Sequence, residues 1–269
     1  MEKVIGFIGS GNMGQAMIGG IIKSGLVESK NIIVCDLDEN KLDFIKVEYK
    51  TQVTTDAVKL VKNSDIIFMS IKPNIYDVML DQIKEYVTEE KLVIIIAPGY
   101  TLDRVGNVLG EKAKIVRAMP NTPALVGAGM AALCKNKNVT VSEMSFVKHL
   151  FESFGEAEEV NEYLFDSVIG VSGSSPAYVF MFIEALADGA VIGGMPRDKA
   201  YKFAAQAVLG SAKMVLETGK HPGELKDMVC SPGGTTIDAV AELEKEGFRH
   251  AVIQAVVKCM EKSKEMGKK

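Results

Sequence analysis

Apolar positions in the first 160 residues follow two alternating rhythms. Short β-branched runs near 3–8, 31–36, 51–53, 65–71, 92–97 and 114–118 predict strands. Between them, stretches such as 12–23, 39–48, 55–62 and 74–86 carry apolar residues at helical spacing and predict crossover helices. This alternation is the pattern of a parallel sheet covered by helices. Thr140-Val141-Ser142-Glu143 has the spacing of a capping box, so a helix should run from there to Phe154-Gly155, with a short strand at 156–160. After residue 160 the strand rhythm stops. Long helical segments are cut at Ser174-Ser175-Pro176, Gly193-Gly194-Met195-Pro196, Thr218-Gly219-Lys220-His221-Pro222 and Ser231-Pro232-Gly233-Gly234, which places a boundary near 160 between domains 1–160 and 161–269. The second should be all helical. Its run Tyr178-Val179-Phe180-Met181-Phe182-Ile183 is apolar on every face and predicts a buried helix over 177–192, covered in part by a partner subunit.

A length of 269 residues suits this division, and 47% hydrophobic with 25% charged residues supplies both a core and a solvated surface. The net charge of -4, with no basic run longer than the Lys268-Lys269 pair, argues against nucleic acid as a partner. Cys35, Cys134, Cys230 and Cys259 are too scattered for a zinc site, so no metal is expected and the thiols read as reduced. Met1-Glu2-Lys3 runs directly into Val4-Ile5-Gly6-Phe7-Ile8 without a leader pattern, so a cytoplasmic location is expected. Helix 177–192 contains Glu184 and Asp188 and would span about 24 Å, short of the roughly 30 Å hydrocarbon core, so no membrane partner is expected.

The sharpest chemical signal stands at the end of the first strand. Gly9-Ser10-Gly11-Asn12-Met13-Gly14 reads G-x-G-x-x-G between Ile8 and a helix beginning near Asn12. Gly9 permits the tight turn, Gly11 lets the backbone approach a pyrophosphate and Gly14 lets the helix pack closely on the sheet. The helix start adds N–H groups and the positive end of its dipole. The first domain is therefore read as a Rossmann-like, doubly wound dinucleotide-binding domain, giving an α/β fold followed by an all-α domain. Asp36, ending the second strand, is placed to bind the adenosine ribose, and Leu37 follows it where a phosphate-binding Arg would otherwise stand. That favours NADH over NADPH, although Lys41 or Lys46 could restore phosphate binding. Ser70-Ile71-Lys72-Pro73 and Ala97-Pro98-Gly99 end two further strands at the same ligand-binding edge, where simple strand termination is the plainer reading.

No Lys occurs between His149 and Asp198, which argues against a hydroxyacid dehydrogenase with a lysine on the helix after the nucleotide domain. His149, His221 and His250 read as structural or solvent-facing, and no hydrolytic triad or zinc-protease motif is present. The nicotinamide must then carry the chemistry. A cyclic imine fits such a site, because its nitrogen is protonated from water and the resulting iminium accepts hydride without a dedicated protein base.

Against this background the run Asp227-Met228-Val229-Cys230-Ser231-Pro232-Gly233-Gly234-Thr235-Thr236-Ile237-Asp238-Ala239-Val240 resembles the signature of the pyrroline-5-carboxylate reductases. Arg117-Ala118-Met119-Pro120-Asn121-Thr122-Pro123 with Val126-Gly127, and Gly173-Ser174-Ser175-Pro176-Ala177-Tyr178-Val179-Phe180, support it across the chain. The resemblance implies reduction of 1-pyrroline-5-carboxylate to L-proline by NADPH or NADH, in a homo-oligomer that is at least a dimer and in this family often a decamer. It implies substrate contacts from Ser231, Gly234, Thr235 and Thr236, with Thr236 bonded to the ring nitrogen, Glu162 as a second polar contact, and Asn121 at the cofactor. Helix capping by Thr235 or Thr236, and a solvated helix-start carboxylate at Glu162, are the structural alternatives. Related cyclic-imine or ketone reductases, or a silent nucleotide sensor, would share much of this pattern. Ala57 replaces an Asn common after the Thr-Thr-Asp run, and Pro98 and Tyr100 replace small or aliphatic residues beside the expected nicotinamide pocket.

Overall fold

The computed structural model describes residues 3–267, so the Met1-Glu2 start and the Lys268-Lys269 pair lie outside the described residues. The alternating rhythm folds as β1 (Ile5–Ile8), α1 (Asn12–Ser24), β2 (Ile32–Cys35), α2 (Glu39–Tyr49), β3 (Gln52–Thr54), α3 (Ala57–Lys62), β4 (Ile66–Met69), α4 (Tyr76–Ile83), β5 (Leu92–Ile95), α5 (Leu102–Leu109) and β6 (Lys114–Met119). These six strands are parallel in the order β3-β2-β1-β4-β5-β6. Every residue of β1, β2, β4 and β5 is buried, because helices cover both faces. One face packs Phe7, Val34, Phe68 and Ile94 against Met17, Ile18 and Ile21 of α1. The other packs Ile33, Ile67, Met69 and Val93 against α3, α4 and α5.

Two differences from the expected pattern have local causes. The sheet is mixed, since β7 (Gly129–Lys135) adds antiparallel to β6 before α6 (Val141–Glu152) leads to β8 (Gly155–Glu159), parallel to β7. The strand β7 was not expected, because Gly129-Met130-Ala131-Ala132 is poor in β-branched residues, and its strand character comes from packing and pairing. The single helix expected over 74–86 is a 3₁₀ turn at Pro73–Ile75, then α4, then a second 3₁₀ turn at Lys84–Tyr86.

Beyond β8 the chain enters α7 (Phe165–Val168), then one π-helical turn at Ile169–Gly173, where the Ser174 N–H donates to the Ile169 carbonyl at 2.8 Å. The helices α8 (Ser175–Ile192), α9 (Arg197–Thr218), α10 (Pro222–Val229), α11 (Thr235–Lys245) and α12 (Phe248–Gly267) follow. By packing, one compact unit runs to Ser174 and includes the stretch from Lys258 onward, and Ser175–Val257 form the other. Residues 161–174 pack with the first because Phe165 and Ile169 share a cluster with Met119 and Cys259. The helical unit has a small alanine-rich core of Ala187, Ala200 and Ala204. In α8 only Ala187 is buried, so the helix expected to be buried is not so within one chain, and Phe180, Met181 and Ile192 stand exposed.

The expected capping box is present. The Thr140 hydroxyl accepts the Glu143 N–H at 3.2 Å, while Glu143 Oε2 accepts the Thr140 N–H at 2.9 Å and Oε1 accepts Lys114 Nζ at 2.7 Å. Burial opposes the Glu143 charge, but Lys114 and Thr140 outweigh it and hold the carboxyl below its ordinary value. A depressed carboxyl stabilises the fold above its unfolded pKa and loses that contribution as pH falls through its folded value. Thr140→Ala should therefore cost about 1 kcal/mol at neutral pH. Glu143→Gln should also destabilise at pH 7, and its deficit should shrink below pH ~4. Denaturant titrations at the two pH values check both, and a deficit that grows in acid would contradict the assignment.

Candidate active site

The turn after β1 is shaped by what its glycines exclude. At φ +100 Gly9 is in the left-handed region, and its N–H donates to the Cys35 carbonyl at 2.7 Å. A Cβ on Gly9 would stand 2.6 Å from the Ser70 carbonyl oxygen, and one on Gly14 would stand 2.6 Å from that of Gly9. A Cβ on Gly11 would meet nothing within 4 Å, so this glycine leaves open space above the helix start. Gly11 is also the N-cap of α1 and provides no side-chain cap. The first-turn amides, including those of Asn12, Met13 and Gly14, are left to an external acceptor. Open backbone, an uncapped dipole end and a tight turn are the features that the pyrophosphate of a dinucleotide needs.

Asp36 is drawn into this turn. Its Oδ2 accepts the Ser10 N–H at 2.8 Å and the Ser10 hydroxyl at 2.7 Å, and its Oδ1 accepts the Asp38 N–H at 3.1 Å. Burial opposes its charge, but these donors together with Lys41 hold the carboxyl below its ordinary value. Leu37 is exposed, and Lys41 pairs with Asp38 at 3.5 Å. Burial, Asp36 and Asp56 push the neighbouring Cys35 thiol up to about 11, which leaves it unreactive at neutral pH.

Two further strand-end loops are tied to each other. Ser70 donates its hydroxyl to the Gly9 carbonyl at 2.7 Å, joining the loop after β4 to the glycine turn. The fully buried Tyr76 donates to the Met69 carbonyl and accepts the N–H groups of Ile96 and Ala97 at 3.1 and 3.2 Å. Tyr100 is buried too, packs against Tyr76 with the rings tilted and their centres 4.5 Å apart, and donates to the Pro73 carbonyl at 3.1 Å. The departure at Tyr100 thus joins loops 70–73 and 97–100, with Ile71 and Lys72 between the anchors. Ala57 is likewise buried, at the start of α3. Asn121 spends its amide inside the protein: Oδ1 accepts the Met130 N–H at 2.9 Å and Nδ2 donates to the Ser172 carbonyl at 3.2 Å.

Glu162 is not a merely solvated helix-start carboxylate. Its Oε1 accepts Arg117 Nη1 at 2.9 Å and the Leu102 N–H at 2.8 Å. Arg117 is 4% exposed and lies over the Phe165 ring at 4.4 Å. Sequence reasoning took Arg117 only as part of a motif, yet a charge inside Ile115-Val116-Arg117-Ala118-Met119 signals a buried partner.

In the helical unit, Ser231, Gly234, Thr235 and Thr236 form one turn. The Gly234 N–H donates to the Ser231 carbonyl at 3.0 Å, Gly233 has φ +66, and Gly234 is the N-cap of α11. No side chain caps this helix, so the capping role considered for Thr235 or Thr236 is not the one they play, and among the described residues the Thr236 hydroxyl has no partner. An uncapped start behind a left-handed glycine can receive a carboxylate.

Comparison with known proteins agrees with both halves. Residues 4–99 match the family model described as NADP oxidoreductase coenzyme F420-dependent, and 162–266 match pyrroline-5-carboxylate reductase dimerisation. The chain is 55% identical over 268 residues to the pyrroline-5-carboxylate reductase of Escherichia coli (strain K12), covering 100% of both chains. It superposes with TM-score 0.91 on the pyrroline carboxylate reductase of Plasmodium falciparum with NADP bound, at 35% identity over 99% of both chains. A pyrroline-5-carboxylate reductase from Coxiella burnetii also gives 0.91, at 33% identity over 100% of both. With its glycine turn, its Ser231–Thr236 turn and full-length similarity in agreement, the chain belongs to the pyrroline-5-carboxylate reductase family.

Proposed function

We infer that this protein reduces 1-pyrroline-5-carboxylate to L-proline, and the observation that carries the reading is the unpartnered Thr236 hydroxyl beside the uncapped start of α11. A bound NADPH or NADH supplies hydride to the carbon of the ring C=N bond. The chain's own groups then have separate tasks. The glycine turn and first amides of α1 hold the pyrophosphate, with Ser70, Ala97 and Gly99 along the same edge. Ser231 and the backbone of Gly234 and Thr235 receive the substrate carboxylate. The Thr236 hydroxyl orients the ring nitrogen, whose proton comes from water. Glu162 retains Oε2 for a polar contact to substrate, since only its Oε1 is engaged by Arg117 and Leu102. Asn121 acts at the cofactor through its backbone and through the loop that its side chain fixes.

Assembly follows from the exposed helical surface. The stretch Glu162–Ile192 is long and apolar enough, by length and composition alone, to cross a membrane. The match of residues 162–266 to a dimerisation family supports instead a reading in which the exposed Phe180, Met181 and Phe203 contact a second copy. Five such dimers would make the decamer that the family often forms. The four free cysteines suit the reducing cytoplasm.

Four measurements test this. Thr236→Ala should lower kcat/KM for 1-pyrroline-5-carboxylate about 10- to 150-fold with cofactor affinity and melting temperature unchanged, and Thr236→Ser should keep most activity. A five-membered imine should be turned over in preference to a six-membered one, and cofactor binding without turnover would leave only a nucleotide sensor. For cofactor choice, the ionised Asp36 beside the adenosine end should make kcat/KM about 5- to 150-fold higher with NADH than with NADPH. Asp36→Ser should narrow that ratio even if loosening Ser10 slows both reactions, whereas a wild-type preference for NADPH would show that Asp36 serves only the turn. Sedimentation should find at least a dimer, against which a fully active monomer would count decisively.

A further inference from the structure

The first unit is finished by a segment far along the chain. In α12, Cys259 packs against the cluster of Met119, Phe165 and Ile169, with its Sγ 3.1 Å from Ser174 Oγ. One turn later the buried Ser263 donates its hydroxyl to Asp166 Oδ1 at 2.6 Å. The next turn reaches loop 97–100. Gly99 has φ +82, and a Cβ there would lie 3.0 Å from the carbonyl carbon and oxygen of Met266 and 3.2 Å from the Gly267 nitrogen. Backbone therefore rests on backbone at this point, and only a glycine leaves room for it.

Loop 97–100 is held on its inner side by Tyr76 and Tyr100, which tie it to Met69 and Pro73. Gly99 itself lies against the end of α12. The last turn must be held in place to act as a support, and the Ser263 bond to Asp166 anchors it one turn earlier. We propose that Ser263 is a positioning residue for the nucleotide: with Asp166 it clamps the end of α12 onto Gly99 and so fixes the 97–100 loop at the cofactor edge. This rests on the assignment of that loop to the cofactor made above. Ser263 touches neither substrate nor cofactor in this role, so its effect falls on nucleotide binding.

The test uses the full chain with Ser263→Ala, Asp166→Ala and Asp166→Asn, the last keeping an acceptor for the Ser263 hydroxyl. Hydrogen exchange is followed in the peptide spanning 96–101, alongside KM for the nucleotide and kcat at saturating nucleotide. Ser263→Ala and Asp166→Ala should each speed exchange in that peptide and raise nucleotide KM about 3- to 10-fold with kcat held, while Asp166→Asn stays near wild type. Unchanged exchange in the peptide after Ser263→Ala would overturn the clamp. Faster exchange with unchanged nucleotide KM would overturn the positioning role by removing loop 97–100 from the cofactor edge, an outcome distinct from failure of the clamp. Equal losses in KM and kcat for all variants, Asp166→Asn included, would reduce the contact to general stability and also overturn it.

Discussion

The carboxylate of Asp36 on the amide and hydroxyl of Ser10 ties the end of β2 to the turn after β1. A phosphate-binding turn must leave its amides unsatisfied, and unsatisfied backbone is costly to hold in one place without a ligand. Ser10 eases this cost, because it is buried and its amide and hydroxyl are both paired with Asp36. Gln15 adds a bond to the Ser10 carbonyl at 2.8 Å, and Ser70 reaches the Gly9 carbonyl. The turn is preorganised by side chains from β2, α1 and the loop after β4, which lowers the ordering cost of binding. One carboxylate thus pairs both polar groups of Ser10 and keeps its negative charge beside the turn.

Much of this was legible in the sequence because the relevant signals are local. A G-x-G-x-x-G between an apolar strand and a helix has few other uses, and fully apolar strands announce a sheet covered on both sides. The capping box at Thr140 and Glu143 depends on four consecutive residues and was equally readable. What could not be read depends on distant partners. The alanines of β7 gain strand character from β6 and β8, and Arg117 gains its meaning from Glu162 and Phe165. The side-chain amide of Asn121 likewise serves Met130 and Ser172, positions 9 and 51 residues away, which its local motif does not reveal.

The two units differ in how completely they satisfy themselves. The sheet unit has aromatic and branched side chains buried on both faces. The helical unit buries little beyond small alanines and leaves Phe203 67% and Ile192 90% exposed. An apolar helix in one chain and a buried one in an assembly are the same sequence, and the hydrophobic pattern of α8 was read as needing cover that one domain does not supply alone.

The return of α12 to the sheet unit orders events during synthesis. The residues that meet Asp166, Ser174 and Gly99 emerge from the ribosome only after all of Ser175–Val257. The nucleotide unit is therefore the first begun and the last completed, and its closure is a long-range event that waits for the helical unit to be made. Nascent chains that stall before residue 258 carry a sheet unit still missing this segment. A substitution near residue 263 thus acts on the nucleotide unit, although the chain that precedes Lys258 belongs to the helical one.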